Sequence, residues 1–409
     1  MWPRSLIVCA LSLSPALSGC GARAELIVPR SDAGPRPDVS QPDVSPADAA
    51  APGCSLGPIV VLKRRMEPSF LLSLAAMNGG GFAFTMASGW MGFASPALVT
   101  VDDALLETAA TATERLETVH SIEGDPRLYT VTSQRDTMTG APVEHAFYQR
   151  NPRLERQPLG RLCADCAAVD RPIAQRGATL AVPIGTGALD SGGALLVDAR
   201  SGAVGARMLA MDLRAPAVMA TSEGWYAVSQ SAGGALARAL FALDGGGARV
   251  LASQMGFDGA SGPWIVRTAG EGLAVVGMSR GGGRTVPVTM NVWNRAQTLA
   301  AGPDVAMTVG AAGPTAQGLS VAASAARGLI AIAWGEQTGD DGAGAWLTVV
   351  NERGRPVFEQ QLASDRAANA QSYTVYTAVA PHPEGFVLAY NAWQPQANYA
   401  VYGRVVRCR

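Results

Sequence analysis

Ser279 stands within Gly277-Met278-Ser279-Arg280-Gly281, the G-x-S-x-G spacing with which a strand-to-helix elbow exposes a nucleophilic serine. An elbow needs a strand before the serine and a helix behind it. A strand-like run does precede it. Behind it come Gly282, Gly283 and the strand-like Val286-Pro287-Val288-Thr289-Met290, with no histidine at a companion position, so the segment reads as a hairpin turn. Cys163-Ala164-Asp165-Cys166 has the spacing of a redox pair or of half a zinc site. Redox chemistry wants the first cysteine at a helix N-terminus and zinc wants four ligands; no second Cys or His pair exists, so a structural disulfide is expected. His120, His145 and His382 are the only histidines, and none sits at ligand spacing. No catalytic residue, metal site or cofactor is assigned.

The elements that hold these residues recur. One phrase, a small residue followed by an apolar strand with Ala inside it, begins at Gly81, Arg127, Gly177, Gly224, Gly272, Gly328 and Gly385, at intervals of 46, 50, 47, 48, 56 and 57. A period near 50 accommodates four antiparallel strands and their turns, the unit of a propeller blade. Seven phrases predict an all-β, seven-bladed β-propeller; six or eight blades is the alternative, because blades two and three are weakly marked. In the sixth blade, strands are expected at 319–323, 328–334, 346–351 and 356–362. The seventh (373–379, 385–390, 399–407) runs out of chain after three strands. Pro58-Ile59-Val60-Val61-Leu62 belongs to no blade and can supply the fourth, closing the ring and removing open sheet edges. Composition agrees: 48% hydrophobic and 16% charged residues allow a large buried interior, and 47 glycines with 6% aromatics favour short strands and tight turns. The net charge is −1 with both signs interspersed, which leaves no basic patch for nucleic acid.

Before the body lie two other segments. Met1 to Arg4 carries a positive charge and Leu6 to Leu13 is apolar. That run is too short to span a bilayer, which takes roughly 20 residues, and reads as a signal-peptide core. Leu17-Ser18-Gly19-Cys20 comes next. It resembles the lipobox of bacterial lipoproteins, which implies cleavage of residues 1–19 and acylation of Cys20. Gly21 stands where an aspartate would imply inner-membrane retention, so the resemblance implies an outer-membrane lipoprotein of the cell envelope, anchored to the bilayer by lipid alone. Residues 20–53, with Pro35, Pro37, Pro42, Pro46 and Pro52 among Asp, Ser and Ala, have too little apolar surface to offset their ordering entropy and read as a tether. Extended as polyproline, these residues would reach ~100 Å; as a coil, ~30 Å. The propeller is assigned to 54–409.

With Cys9 removed with the signal and Cys20 acylated, Cys54, Cys163, Cys166 and Cys408 remain. An even number in an exported chain suggests two disulfides. Cys54 precedes the orphan strand and Cys408 ends the last one, so ring closure would bring them together; the expected pairs are Cys54–Cys408 and Cys163–Cys166. The phrase Gly385-Phe386-Val387-Leu388-Ala389-Tyr390 with Asn398-Tyr399-Ala400-Val401-Tyr402-Gly403-Arg404-Val405 resembles the repeat of seven-bladed propeller lipoproteins of bacteria. The likeness covers the scaffold from about residue 55 to the end and carries no catalytic motif. Thr338-Gly339-Asp340-Asp341-Gly342 before Trp346 is similar to the Asp-box of sialidase-type propellers, but it has one residue too many before the tryptophan and lies in the wrong hairpin.

In an antiparallel blade, the hairpins between strands two and three share one end of the ring with the connections between blades. Trp90, Met91 and Phe93 fall in that hairpin of blade one, Trp393 in that of blade seven, and Trp334 at the start of that of blade six. An aromatic patch on one propeller face is a recognition surface. The expected function is therefore a monomeric, non-catalytic binding or scaffolding module for a protein or glycan partner. A glycan or ester hydrolase is the runner-up, and a component of an outer-membrane assembly complex the third reading.

Overall fold

The structure, a computed structural model, describes residues 53–65, 69–88, 95–113, 117–121, 127–135, 142–151, 153–163, 166–168, 171–186, 191–211, 213–230, 236–254, 263–269, 272–278, 286–293, 307–313, 316–338, 342–363, 376–394 and 398–409. The strands form seven antiparallel sheets. Blade 1 is Ser69–Ala76, Phe82–Ser88, Ser95–Val101 and Glu107–Ala112; blade 6 is Gln317–Ser324, Leu329–Thr338, Gly342–Asn351 and Pro356–Leu362. Each blade begins with an inner strand, and these strands adjoin one another between blades 1 and 2 and from blade 3 through blade 7; Thr377–His382 of blade 7 packs beside Ser69–Ala76 of blade 1 and completes the ring.

The recurring phrase is strand two in every blade. It is the most legible strand because it lies in the middle of a sheet whose two faces are both covered. In blade 6, Leu329, Ala331 and Ala333 face blade 7 while Ile330, Ile332 and Trp334 face blade 5. The large and small residues of Gly-Phe-Ala-Phe follow the same rule: Phe82 and Phe84 pack on blade 7, Ala83 on blade 2. The glycine that opens the phrase has steric reasons to be glycine. Gly81 adopts φ +80°, and a Cβ on Gly224 would collide with the carbonyl of Phe241.

The interior is divided accordingly. Seven hydrophobic clusters occupy the seven blade-to-blade interfaces, one each, from Leu98 with Val119 between blades 1 and 2 to Phe84 with Val387 between blades 7 and 1. Each blade is therefore stabilised by both neighbours, and a ring with a missing blade would expose two apolar faces.

Closure takes the expected route with a longer strand. Cys54–Leu56 and Val60–Arg65 both pair antiparallel with Asn398–Cys408, Cys54 opposite Cys408 and Arg65 opposite Tyr399. Ile59 lies outside the ladder and is 40% exposed. The Cys54–Cys408 disulfide is present, its Cα atoms 4.1 Å apart across 354 residues of chain. The side chains of Cys163 and Cys166 lie outside the described residues, and with them the expected second bridge; in the backbone, Arg156–Cys163 ends blade 2 and Cys166–Ala168 opens blade 3.

The turns between strands three and four of blades 1, 2 and 6 share a design. An Asp or Asn side chain accepts two backbone N–H groups across the turn: Asp102 from Ala104 and Leu106, Asn151 from Arg153 and Glu155, Asn351 from Arg353 and Arg355. The fourth turn position takes positive φ. It is Gly354 in blade 6 (φ +75°) but Leu105 (φ +64°) and Leu154 (φ +61°) in blades 1 and 2. Both leucines are buried, so side-chain burial outweighs a backbone cost of order 1–3 kcal/mol.

Candidate functional site

The inner strands surround a cavity of about 630 Å³. An inner strand has a sheet partner on one side only, so its other edge carries backbone groups that need partners elsewhere. Several are met from the neighbouring blade. Ser73 Oγ accepts the Val119 N–H (2.8 Å), and Ser320 Oγ accepts the Val379 N–H (3.1 Å). Both serines lie at a register shift in their strands. Thr377 Oγ1 donates to the Gly318 carbonyl at 2.9 Å.

His120 does the same work with an imidazole. Its Nδ1 accepts the Ile173 N–H of blade 3 at 3.4 Å, which leaves Nε2–H to donate to Thr118 Oγ1 at 3.0 Å. Both nitrogens are satisfied by the neutral ring alone. Burial presses the pKa down to about 3, because a charged imidazole would be poorly solvated there. His382 is elsewhere, at the seam of blades 7 and 1, stacked on Phe82 with centroids 5.8 Å apart. Its pKa is also lowered, first by burial, against the opposing pull of Asp103 and Glu384. The side chain of His145 lies outside the described residues. Among the described residues, no group of three or more His, Cys, Asp or Glu could hold a metal.

The charged groups described on the cavity wall are Arg171 and Arg267. The Arg171 guanidinium lies 5.4 Å from the centre of the Trp264 ring, which also lines the cavity. Arg267 donates from Nη2 to the Ala220 carbonyl of blade 4 at 2.6 Å. The rest of the wall is largely aliphatic or small, Leu72, Leu74, Met219 and Val321 among it, with His120, a few hydroxyl side chains and Tyr376 at the start of the blade 7 inner strand. Nothing in their immediate sequence marks these arginines. Their phase does: they precede the phrases of their blades by six and five residues, as Ser73 and Ser320 precede theirs by eight.

Of the expected aromatic face, Trp90, Met91 and Phe93 lie outside the described residues, as does the side chain of Trp393, whose backbone pairs with Tyr399. Trp334 is corrected. It is fully buried (0% exposed), pairs with Trp346 inside the sheet, and donates its indole N–H to Glu336 Oε1 at 2.6 Å. Strand two of blade 6 runs on to Thr338, four residues past Trp334, so that ring packs against blade 5 and is no part of an exposed aromatic face. Ser279 itself lies outside the described residues, and the strands on either side of it, Leu273–Met278 and Val286–Trp293, pair antiparallel with each other.

No known family model matches the chain, and no curated protein is similar in sequence. Among solved structures, the chain is similar to a protein of unknown function from Dyadobacter fermentans (8% identity, TM-score 0.51, 87% of this chain and 100% of that one). It also matches a prolyl endopeptidase (11%, TM-score 0.47, 80% of this chain and 47% of that one) and an oligogalacturonate lyase from Vibrio parahaemolyticus (9%, TM-score 0.46, 87% and 96%). At these identities the first likeness shows a shared fold and nothing about chemistry.

Proposed function

We propose that this chain is an envelope lipoprotein, acylated at Cys20, whose propeller is a non-catalytic binding or scaffolding module for a protein or glycan partner. One observation carries the reading: Ser73, Ser320, Thr377 and His120, which line the axial cavity and could perform acid–base or nucleophilic chemistry, are spent on architecture. Ser73, Ser320 and Thr377 bond the next blade, and His120 uses both nitrogens as a neutral ring. A catalytic base must be within reach of substrate and able to take its proton, and His120 accepts a backbone N–H with the lone pair it would need. The hydrolase and outer-membrane assembly readings therefore rank second and third. The partner surface is the face carrying Trp90, Phe93 and Trp393. Affinity capture from envelope membranes, with wild type beside a Trp90→Ala, Trp393→Ala double variant, tests it. Loss of capture at an unchanged Tm supports the reading; capture at wild-type level by the double variant overturns it. Metabolic labelling with a palmitate analogue should mark the wild type and leave Cys20→Ser unmarked.

A further inference from the structure

We propose that the closing seam of the ring, where blade 7 meets blade 1, is an acid-sensitive latch with His382 as its sensor. His382 ends the inner strand of blade 7, and its Nδ1 accepts the Glu384 N–H across the following turn at 3.0 Å. An Asp or Asn oxygen fills this role in turns, bonding the N–H two residues on; Asn151 and Asn351 do so for Arg153 and Arg353. An amide oxygen accepts at any pH. An imidazole nitrogen accepts only while the ring is neutral, a state that histidine leaves between about pH 8 and 5. With Nδ1 accepting, the proton of the neutral ring sits on Nε2, which is buried. Protonation therefore sets an Nδ1–H donor against the Glu384 N–H donor, and one of the two must move away.

Phe82 of blade 1 stacks on the imidazole, its ring 17° from parallel, and supplies no countercharge. Asp103 of blade 1 and Glu384 favour the imidazolium and Arg407 opposes it, but burial outweighs the carboxylates and holds the pKa below its ordinary 6.5. Both carboxylates are engaged: Asp103 Oδ1 accepts the Gly81 N–H and Glu384 Oε2 the Arg407 Nε–H, each at 2.7 Å. The folded pKa is the lower one, so stability linked to His382 is whole above pH 6.5 and is lost as pH falls through the folded value. What the turn holds gives the loosening its reach. The Glu384 carbonyl accepts the Cys408 N–H at 2.7 Å, and Arg327 of blade 6 donates to the Pro383 and Cys408 carbonyls at 2.6 and 2.7 Å. The Arg409 N–H reaches the Gly53 carbonyl at 3.1 Å. A shift at Glu384 thus loosens the point where both ends of the body meet, while the Cys54–Cys408 bridge keeps the ring joined.

The experiment measures backbone amide exchange by mass spectrometry on the full chain carrying Cys20→Ser, disulfide intact, at pH 7.5 and 5.5, with intrinsic rates corrected for pH. Peptides within 381–392 and 401–409 report the latch, and a peptide within 347–358, which holds the Asn351 turn, is the internal standard. Expected is a fall of about three- to tenfold in protection of the latch peptides at pH 5.5, with the standard unchanged within about twofold. His382→Asn keeps an acceptor that does not titrate, so its latch peptides should show equal protection at both pH values. His382→Ala should lower their protection at both. The proposal fails if wild-type latch protection is the same at the two pH values, if His382→Asn keeps the wild-type acid response, or if the standard loses protection as much as the latch, which would assign the effect to the whole ring. The Trp90→Ala, Trp393→Ala variant should keep the wild-type acid response, so this proposal and the binding reading can fall separately.

Discussion

Acidification should destabilise the ring in part through His120. The neutral imidazole joins blade 2 to blade 3 by accepting the Ile173 N–H, and burial holds its folded-state pKa near 3 against an ordinary 6.5. The folded pKa is the lower one, so the unfolded chain binds the proton first. The stability linked to this group is whole above pH 6.5 and is lost as pH falls from 6.5 toward 3. The loss is about 2 kcal/mol at pH 5 and about 3 at pH 4, from 1.4 kcal/mol per pH unit below the unfolded value. Carboxylates also titrate over that range, so the measurement is a difference. Unfolding free energies from urea titrations are compared between wild type and His120→Asn from pH 7 to 4, with the disulfide intact. Asparagine offers an acceptor for Ile173 and does not titrate. It should cost something at pH 7 and then overtake the wild type as pH falls. A gap that stays constant within about 0.5 kcal/mol from pH 7 to 4.5 would refute the account of His120 as a buried, neutral cross-blade acceptor.

Other outcomes rest on the same geometry. Reducing Cys54–Cys408, or Cys408→Ser, should lower stability by up to about 5 kcal/mol on the chain-entropy view, since the bridge spans 354 residues; thermal melts of oxidised and reduced protein measure it. Arg150 Nη2 donates to both carboxylate oxygens of Glu117 at 2.7–2.8 Å, with the Glu117 and Arg150 side chains 0% and 4% exposed, and Arg150 Nη1 also donates to the Leu154 carbonyl. Glu117→Gln should cost about 3–5 kcal/mol in urea unfolding by stranding a buried cation, and Glu117→Leu with Arg150→Met should cost less. Leu105→Gly should destabilise by about 1 kcal/mol, because the backbone relief at positive φ is smaller than the lost burial; a gain would show that the turn, and not the packing, governs that site. Trp334→Phe should lose about 1–2 kcal/mol from the broken bond to Glu336 and leave partner capture unchanged.

What could be read from the sequence was what is buried on two sides. Strand two announced itself, most weakly in blades 2 and 3, because apolar residues must fill both faces, and the orphan apolar run near residue 60 announced the closing strand for the same reason. The pairing of Cys54 with Cys408 then came from closure. Inner strands were harder. Glu117–Ser121 mixes charge, hydroxyl and imidazole, and the inner edge of blade 3 is broken into Cys166–Ala168 and Ala174–Arg176, both pairing with Thr179–Thr186. Their residues answer to neighbouring blades and to the axis, which no local period records. Trp334 was misplaced because a tryptophan at the expected end of a strand looks like a loop residue; the strand continues to Thr338, and the ring turns inward. Arg171 and Arg267 lie in different blades and became visible as a pair only through the ring.

Cys54 is also where any pull arriving along the preceding chain would first reach the folded body. Without a covalent bond there, tension on the leader would open the Cys54–Leu56 and Val60–Arg65 ladder one residue at a time from its end, the mode in which hydrogen-bonded strands resist least. With Cys54 joined to Cys408, the load passes to the last strand, whose Cys408 carbonyl is gripped by Arg327 of blade 6 and whose length is paired with Gly385–Gln394. Traction is then spread across blades 6 and 7 together, and the ring must be sheared as a block instead of unzipped. A protein leashed to a moving surface while holding a partner would experience such traction, and the bridge would act as its strain relief.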